Sequence, residues 1–469
     1  MTTRSLAALA DALESTTGTP TLAQVSTGEV PATPIVRWLE ELTDGSAEHI
    51  GGFHQSVLLT VPSGLDVDAL AAATTTLVAR HHMLRARLVT RSRPWRFEIP
   101  ESASAVEVVR ETDRDVTAVA HRTRDRLDPR AGQMLAATWI DHGDESGRLL
   151  LAIHHLVVDG VSWRVLVPEL LAAYSQLTNG VAAENISLAD VSTDFGAWAR
   201  ALVTTDRSAE LDLWRGAGAG ADPTAIFVRP LDTTCDTQGS AARHRVEVDA
   251  ETARAVLGPV GARLGVGVDD VLLGAFGAAV GTPTIVDSEG HGRVEHLVTG
   301  ADLTGTVGWF TAVHPIRIGD TDDPLEQARR LAAQRAAIPD EGVGYGLLRY
   351  GSDLGDGAVR RAQTDLPTAA IEFNYVGRYR EFAFDGWAMA PESVDIGPDD
   401  AMPAGYGLIV DVATVDGTDG PRLSATWTYQ PGMIDAHAVT ALADRWLAAL
   451  VNLAEVTTDK TNGTTEGGR

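Results

Sequence analysis

The sequence runs to 469 residues, with 38 Lys and Arg against 64 Asp and Glu and a formal net charge of −26 at neutral pH. That excess argues against a nucleic-acid grip, because backbone phosphates are held by basic patches, and the arginines here occur as singles and pairs such as Arg329-Arg330 and Arg360-Arg361. The one lysine, Lys460, lies in a Thr/Gly-rich tail and the one cysteine is Cys235; this argues against a Schiff-base or Walker-type phosphate lysine, and one thiol makes neither an internal disulfide nor a paired-thiol racemase site.

No charged-then-apolar leader and no bilayer-length apolar stretch is visible, so the expectation is a soluble cytoplasmic protein with no membrane contact. With 44% hydrophobic and 22% charged residues the composition is that of a globular chain, and at this length two lobes are expected. In chain order, residues 1–30 read as a flexible lead-in carrying a helix over Ser5–Glu14. Residues 31–215 form a first lobe. There, β-branched runs (Ser56–Val61, Ala105–Val109, Arg148–Ile153) alternate with helical patterns (Val67–Arg80, Thr117–Leu127, Val165–Leu177), an α/β reading. A Trp-bearing helix over Phe195–Trp214 leads to the small-residue run Gly216 to Pro223, taken as the lobe junction. The second lobe, 223–455, opens strand, helix, strand over Ala242–Val248, Ala250–Leu264 and Val268–Val280, followed by a Gly-rich stretch from Asp287 to Gly308. Residues 456–469 read as a disordered tail.

The densest chemistry follows the apolar run Leu149–Ile153, which delivers His154 and His155, then Asp159, Gly160 and Ser162. Neighbouring side chains of an extended segment point to opposite faces, so one histidine at most faces a cleft. Ser162 is placed to cap the helix that begins near Trp163. A lone histidine at such a place is usually a satisfied core residue; two histidines, an aspartate and a glycine at a strand-to-helix corner favour function. A second cluster, Asp287-Ser-Glu289-Gly-His291-Gly-Arg293, reads as a tight glycine loop presenting an acid, an imidazole and a guanidinium, with a solvated charged loop as the bland alternative. Aromatics pair with glycines in Thr306–Thr311, Pro339–Gly346 and Glu372–Gly377, and in the last of these Asn374 and Tyr375 can donate to a developing oxyanion. Adjacent rather than spaced histidines, and no H-E-x-x-H or Cys/His comb, argue against a metal. Gly342, Gly344 and Gly346 lack the spacing of a dinucleotide fingerprint.

His154-His155-x-x-x-Asp159-Gly160 resembles the H-H-x-x-x-D-G signature of the condensation-domain superfamily of nonribosomal peptide synthetases. Pro34-Ile35 with Trp38, Val161-Ser162-Trp163, Glu289–Arg293, Val307–Thr311, Pro339–Gly346 and Phe373–Gly377 are similar, in order, to motifs of its epimerization branch. The family's glutamate after the second cluster is Val294 here, with Glu295 one place on, and the arginine often preceding T-V-G-W-F-T is Gly305. The resemblance implies an α/β fold of two chloramphenicol-acetyltransferase-like lobes, a V-shaped pseudo-dimer with a central tunnel. It implies a substrate carried on the phosphopantetheine arm of a peptidyl carrier protein, in the company of neighbouring synthetase modules, with no cofactor bound to the domain itself. The activity implied is L-to-D inversion at the α-carbon of an aminoacyl or peptidyl thioester in secondary-metabolite peptide assembly, against a peptide-bond-forming condensation domain or a non-catalytic docking relative. On this resemblance His155 and Glu289 are the proton-transfer pair on opposite faces of the α-carbon, and Tyr375 and Asn374 orient or stabilise the enolate. His154, Asp159, Gly160, Arg85 and Trp309 are structural, with Asp159 expected to pair with an arginine such as Arg85. A histidine's ordinary pKa of roughly 6.5 already suits proton transfer near neutrality, whereas Glu289 needs burial to raise it.

Overall fold

The computed structural model describes residues 26–351, 365–380, 383–392, 394, 396–417 and 420–458. The expected helix Ser5–Glu14, the Arg360-Arg361 pair and Lys460 lie outside the described residues. In chain order the strands are β1 (Gly28–Pro31), β2 (His54–Thr60), β3 (Arg87–Val89), β4 (Arg96–Ile99), β5 (Val108–Glu111), β6 (Leu135–Ile140), β7 (Arg148–His154), β8 (Ala242–Val248), β9 (Thr284–Gly290), β10 (Ala312–Ile318), β11 (Ile371–Arg380), β12 (Ala383–Phe384), β13 (Trp387–Met389), β14 (Leu408–Gly417) and β15 (Gly420–Tyr429). They form two six-stranded sheets, β12-β13-β2-β7-β6-β5 and β10-β9-β11-β14-β15-β8, and a small sheet β1-β4-β3. β1 starts inside the span expected as lead-in, paired from Gly28 opposite Ile99 to Pro31 opposite Arg96.

Helix Val67–Arg80 has the expected bounds, because Asp66 caps it by accepting from the Asp68 and Ala69 amides. Two expectations need correction. The stretch Phe195–Trp214 is not one helix: it breaks into Phe195–Leu202 and Leu211–Ala217, and between them Asp206 accepts the Ser208 amide in a local turn. Val268–Val280 is a helix, not a strand. An extended run of thirteen residues would reach roughly 43 Å, about twice an ordinary strand. As a helix it is apolar around its circumference and sinks into the core, with Asp269 and Asp270 in its first turn and left-handed Gly281 (φ 65°) closing it. The helical stretch Ala250–Leu264 is continuous but passes through a π turn at Val256–Val260, where Pro259 has no N–H to donate.

Two large cores result, one around Trp95, Phe97, Leu149, Ile153 and Trp198, the other around Phe276, Trp427 and Trp446, with smaller apolar clusters such as that of Trp214 and Tyr345 beside them. Residues from far along the chain complete the first: Val307, Trp309, Phe310 and Trp387 are buried in it. β13 also joins the first sheet beside β2, with Ala388 opposite Thr60 and Met389 opposite Leu59, and carries β12 at the edge. In the second sheet the two-residue alternation sorts chemistry by face. Val286, Phe373 and Val410 enter the second core, so Asp287 and Glu289 of β9, Glu372 and Asn374 of β11 and Asp411 of β14 share the other face. Register brings them together, Glu372 opposite Asp287 and Asn374 opposite Asp411.

Trp387 is 4% exposed and meets Tyr174 edge-on at 5.3 Å. Trp387→Ala should therefore cost about 3–5 kcal/mol, read as a lowered urea midpoint with loss of protection in β2 by hydrogen exchange.

Candidate active site

β7 ends in two histidines with different fates. His154 is fully buried: its Nε2–H donates to the Ile50 carbonyl at 2.7 Å, and its Nδ1 accepts the Leu156 amide at 3.2 Å. Burial pushes its pKa down to about 3, so it stays neutral and holds the corner together. His155 turns the other way. Its ring stacks on Phe53 at 4.9 Å and leans on Trp309 at 4.7 Å. Burial lowers its pKa below the usual 6.5, opposed by backbone carbonyls and by Asp159. A neutral imidazole at pH 7 is a competent base. Gln55 Nε2 lies 3.1 Å from His155 Nε2, and Trp163 Nε1–H donates to Gln55 Oε1 at 2.9 Å.

The expected Asp159–Arg85 pair does not exist. The partner is Arg293, whose Nη2 lies 3.0 and 3.2 Å from the two carboxylate oxygens, with both side chains buried. Arg85 ends the 3-10 turn His82–Arg85 and is spent on the Pro100, Val78, Ala79 and Ser26 carbonyls. Ser162 is not a side-chain cap either. Its hydroxyl lies 2.7 Å from Asp159 Oδ1 and accepts the Gly308 amide at 3.2 Å. The amides of Ser162 and Phe310 donate to the same carboxylate at 2.8 and 3.2 Å. Arg293 covers the Phe310 ring at 4.0 Å and donates to the Thr306 carbonyl at 2.7 Å. Gly292 makes this closeness possible: its φ is 63°, and a Cβ there would sit 1.9 Å from the Phe310 carbonyl oxygen.

The Asp287–Arg293 run is not one glycine loop. Thr284–Gly290 is strand β9, and the loop starts at His291, because pairing with β10 from Thr284 to Gly290 holds it extended. Glu289 Oε1 accepts the Thr311 hydroxyl at 3.0 Å. Burial first, then the nearby Asp411 and Asp159, raises its pKa to about 7. Asp411 is pushed up to about 6 and Asp287 to about 7, chiefly by burial, and Glu372 is raised well above its ordinary value by burial and by Glu289. Tyr406 donates to Asp287 Oδ2 at 3.1 Å. Sequence reasoning passed over Glu372, Asp411 and Gln55. Single acids inside apolar strands, Ile371-Glu372-Phe373 and Val410-Asp411-Val412, were the signal for the first two. Gln55 carries no such mark.

An open cavity of about 550 Å³ is lined by Gln55, Asp159, Gly160, Glu289, Asn374 and Tyr375 among others. Gln55 forms the wall on the His155 side. Asn374 Nδ2 donates to Asp411 Oδ1 at 3.4 Å. Tyr375, at a bulge in β11, packs its ring on the second core with its hydroxyl 3.1 Å from Thr414 Oγ1. Glu341 at the rim is left-handed (φ 53°), as is Asp340 (φ 47°), local strain of the kind that accumulates at functional sites. Among the described residues no group of three or more His, Cys, Asp or Glu is placed to hold a metal ion, and no helix is long and apolar enough to cross a membrane.

A family model described as Condensation domain matches residues 27–464, and the chain belongs to that family. It is 32% identical over 457 residues to one of the linear gramicidin synthase proteins of Brevibacillus parabrevis, a match covering 92% of this chain and 6% of that protein. It is 31% identical over 377 residues to surfactin synthase subunit 2 of Bacillus subtilis, covering 75% of this chain and 10% of that protein. The chain thus spans a small fraction of the length of these curated relatives. The epimerization domain from the third module of tyrocidine synthetase B superposes with a TM-score of 0.79 at 23% identity, over 93% of this chain and 99% of that one. The X-domain from teicoplanin biosynthesis does so with a TM-score of 0.71 at 18% identity, over 93% and 97%. These likenesses establish the α/β fold expected from the sequence, here built on two six-stranded sheets.

Two outcomes test the site. Asp411→Asn removes a like charge beside Glu289, so the Glu289 carboxyl should titrate at lower pH by carbonyl-stretch infrared difference spectroscopy against Glu289→Gln. Arg293→Leu leaves the Asp159 carboxylate buried and unpaired and should cost about 3–5 kcal/mol in urea unfolding.

Proposed function

We propose that this chain is an epimerization domain. It inverts the α-carbon of an aminoacyl or peptidyl thioester presented on the phosphopantetheine arm of a peptidyl carrier protein, with no cofactor bound to the domain itself. One observation carries this reading: Glu289, a buried carboxyl with its pKa raised to about 7, lines the same cavity as the amide that contacts His155. Inversion needs a base on one face of the α-carbon and an acid on the other. Neutral His155 takes the α-proton, the C–H electron pair moves into the thioester carbonyl as an enolate, and protonated Glu289 returns a proton to the opposite face. The reverse direction exchanges the roles and uses a state with the same total number of protons. Asn374 lines the cavity on the face that carries Glu289 and supplies an amide donor for the enolate oxygen. A condensation reading would employ the histidine to assist amine attack and would leave Glu289 without a task. The synthetase names of the relatives suit either branch, and the name of the tyrocidine neighbour suits inversion.

An L-aminoacyl carrier protein, incubated alone with the domain in D₂O, should acquire α-deuterium and D configuration. Strict dependence on a second, amine-bearing substrate would refute inversion. His155→Ala should lose roughly 10²-fold or more of the rate. The rate should be bell-shaped in pH. It falls as pH rises through about 7, where Glu289 loses its proton, and falls again on the acid side, where His155, depressed below 6.5, gains one.

A further inference from the structure

Gln55 stands between His155 and the cavity, and its orientation follows from donor and acceptor rules alone. An indole N–H only donates, so the atom that Trp163 meets at 2.9 Å is Gln55 Oε1. The other end of that amide, Nε2–H, then points at His155 Nε2 from 3.1 Å. An amide nitrogen only donates as well, so His155 Nε2 accepts, and the neutral ring carries its proton on Nδ1. Phe53 on one side and Trp309 on another hold the ring plane. Trp163 itself sits in the first turn of helix Trp163–Thr178, so the chain of contacts is anchored to a rigid element.

We propose that Gln55, held by Trp163, is a positioning residue for His155: it selects the Nδ1–H tautomer, directs the Nε2 lone pair to the cavity wall, and resists protonation of Nε2 until substrate arrives. A protonated Nε2–H would face the amide N–H, donor against donor. Uptake of the α-proton therefore requires the Gln55 amide to turn aside, which couples arrival of substrate to release of the base. The other charged or titratable groups acting on the ring are Asp159, which favours the imidazolium, and His54, which opposes it; the adjacent His154 stays neutral. The inference rests on the proton-transfer reading of His155.

The test is ¹⁵N-histidine NMR of the full chain. Its 13 histidines are resolved for this purpose by the signal lost in His155→Gln. Wild type should show the Nδ1–H tautomer. Gln55→Glu, which presents a carboxylate oxygen to Nε2, should move the His155 titration upward by about one unit or more. Gln55→Leu, which removes the opposing N–H, should mix the tautomers and raise the titration by less than Gln55→Glu does, and so should Trp163→Phe, which frees the amide to flip. In α-hydrogen exchange, Gln55→Glu should move the acid limb of the pH profile to higher pH with KM within about twofold of wild type. An Nε2–H tautomer in wild type, or the same titration in wild type, Gln55→Leu and Gln55→Glu, overturns the proposal. If Gln55→Glu does not fold, the tautomer ratios of Gln55→Leu and Trp163→Phe decide it. Gln55-dependent titration in a protein that exchanges no α-hydrogen upholds the positioning role and removes the epimerase reading instead.

Discussion

The ion pair between Asp159 and Arg293 is what makes one site out of distant pieces of chain. Its two residues are 134 positions apart, and the Phe310 amide that completes the carboxylate is 151 positions from Asp159. A buried ion pair is weak evidence of net stability, since desolvation offsets much of the attraction. Its contribution here is register. The carboxylate accepts from Arg293, from two backbone amides and from the Ser162 hydroxyl, and the guanidinium spends its other side on the Leu303 and Thr306 carbonyls. With these donors and acceptors in place, the corner after β7 and the loop after β9 can meet in one way. Trp309 is thereby set against His155, and Thr311 against Glu289.

That arrangement separates two kinds of carboxylate. Asp159 is paired and surrounded by donors. Asp287, Glu289, Glu372 and Asp411 share one face of the second sheet with a tyrosine hydroxyl, a threonine hydroxyl and an asparagine amide as their hydrogen-bond donors. Charge is costly there, and each new carboxylate makes its neighbours harder to ionise. A crowd of acids in a strand-lined wall thus yields a proton donor near neutrality, even with Arg349 acting on Asp287 and Arg243 on Asp411. The two histidines show the same logic. His154, donating from Nε2 and accepting at Nδ1, is held inert, whereas His155 is left with a lone pair that faces only an amide.

Much of this was legible in the sequence where the relevant contacts are local. Helix Val67–Arg80 could be read because its cap and its periodicity lie within the element. The corner His154 to Ser162 could be read because a strand end, a glycine and two imidazoles are adjacent in chain. Glu289 was found through its motif. The partner of Asp159 was misassigned because composition offers many arginines and only the fold decides which approaches. Val268–Val280 was misread because its unbroken apolar run from Val271 onward has no period to separate helix from strand. The acids at Glu372 and Asp411 matter through strand register, and Gln55 through an orientation set by Trp163. Neither that register nor that orientation is a property of a single stretch of sequence.

The central claim is that protons are exchanged from two faces of one carbon by two different residues. It is tested most directly by Glu289→Gln, given L- and D-aminoacyl thioester in separate D₂O reactions with chiral analysis of the recovered substrate. The enantiomer whose α-hydrogen faces His155 should take up deuterium with retained configuration, and the other should stay unlabelled, with no inversion in either. Continued inversion at the wild-type rate, or equal labelling of both enantiomers, would contradict the account.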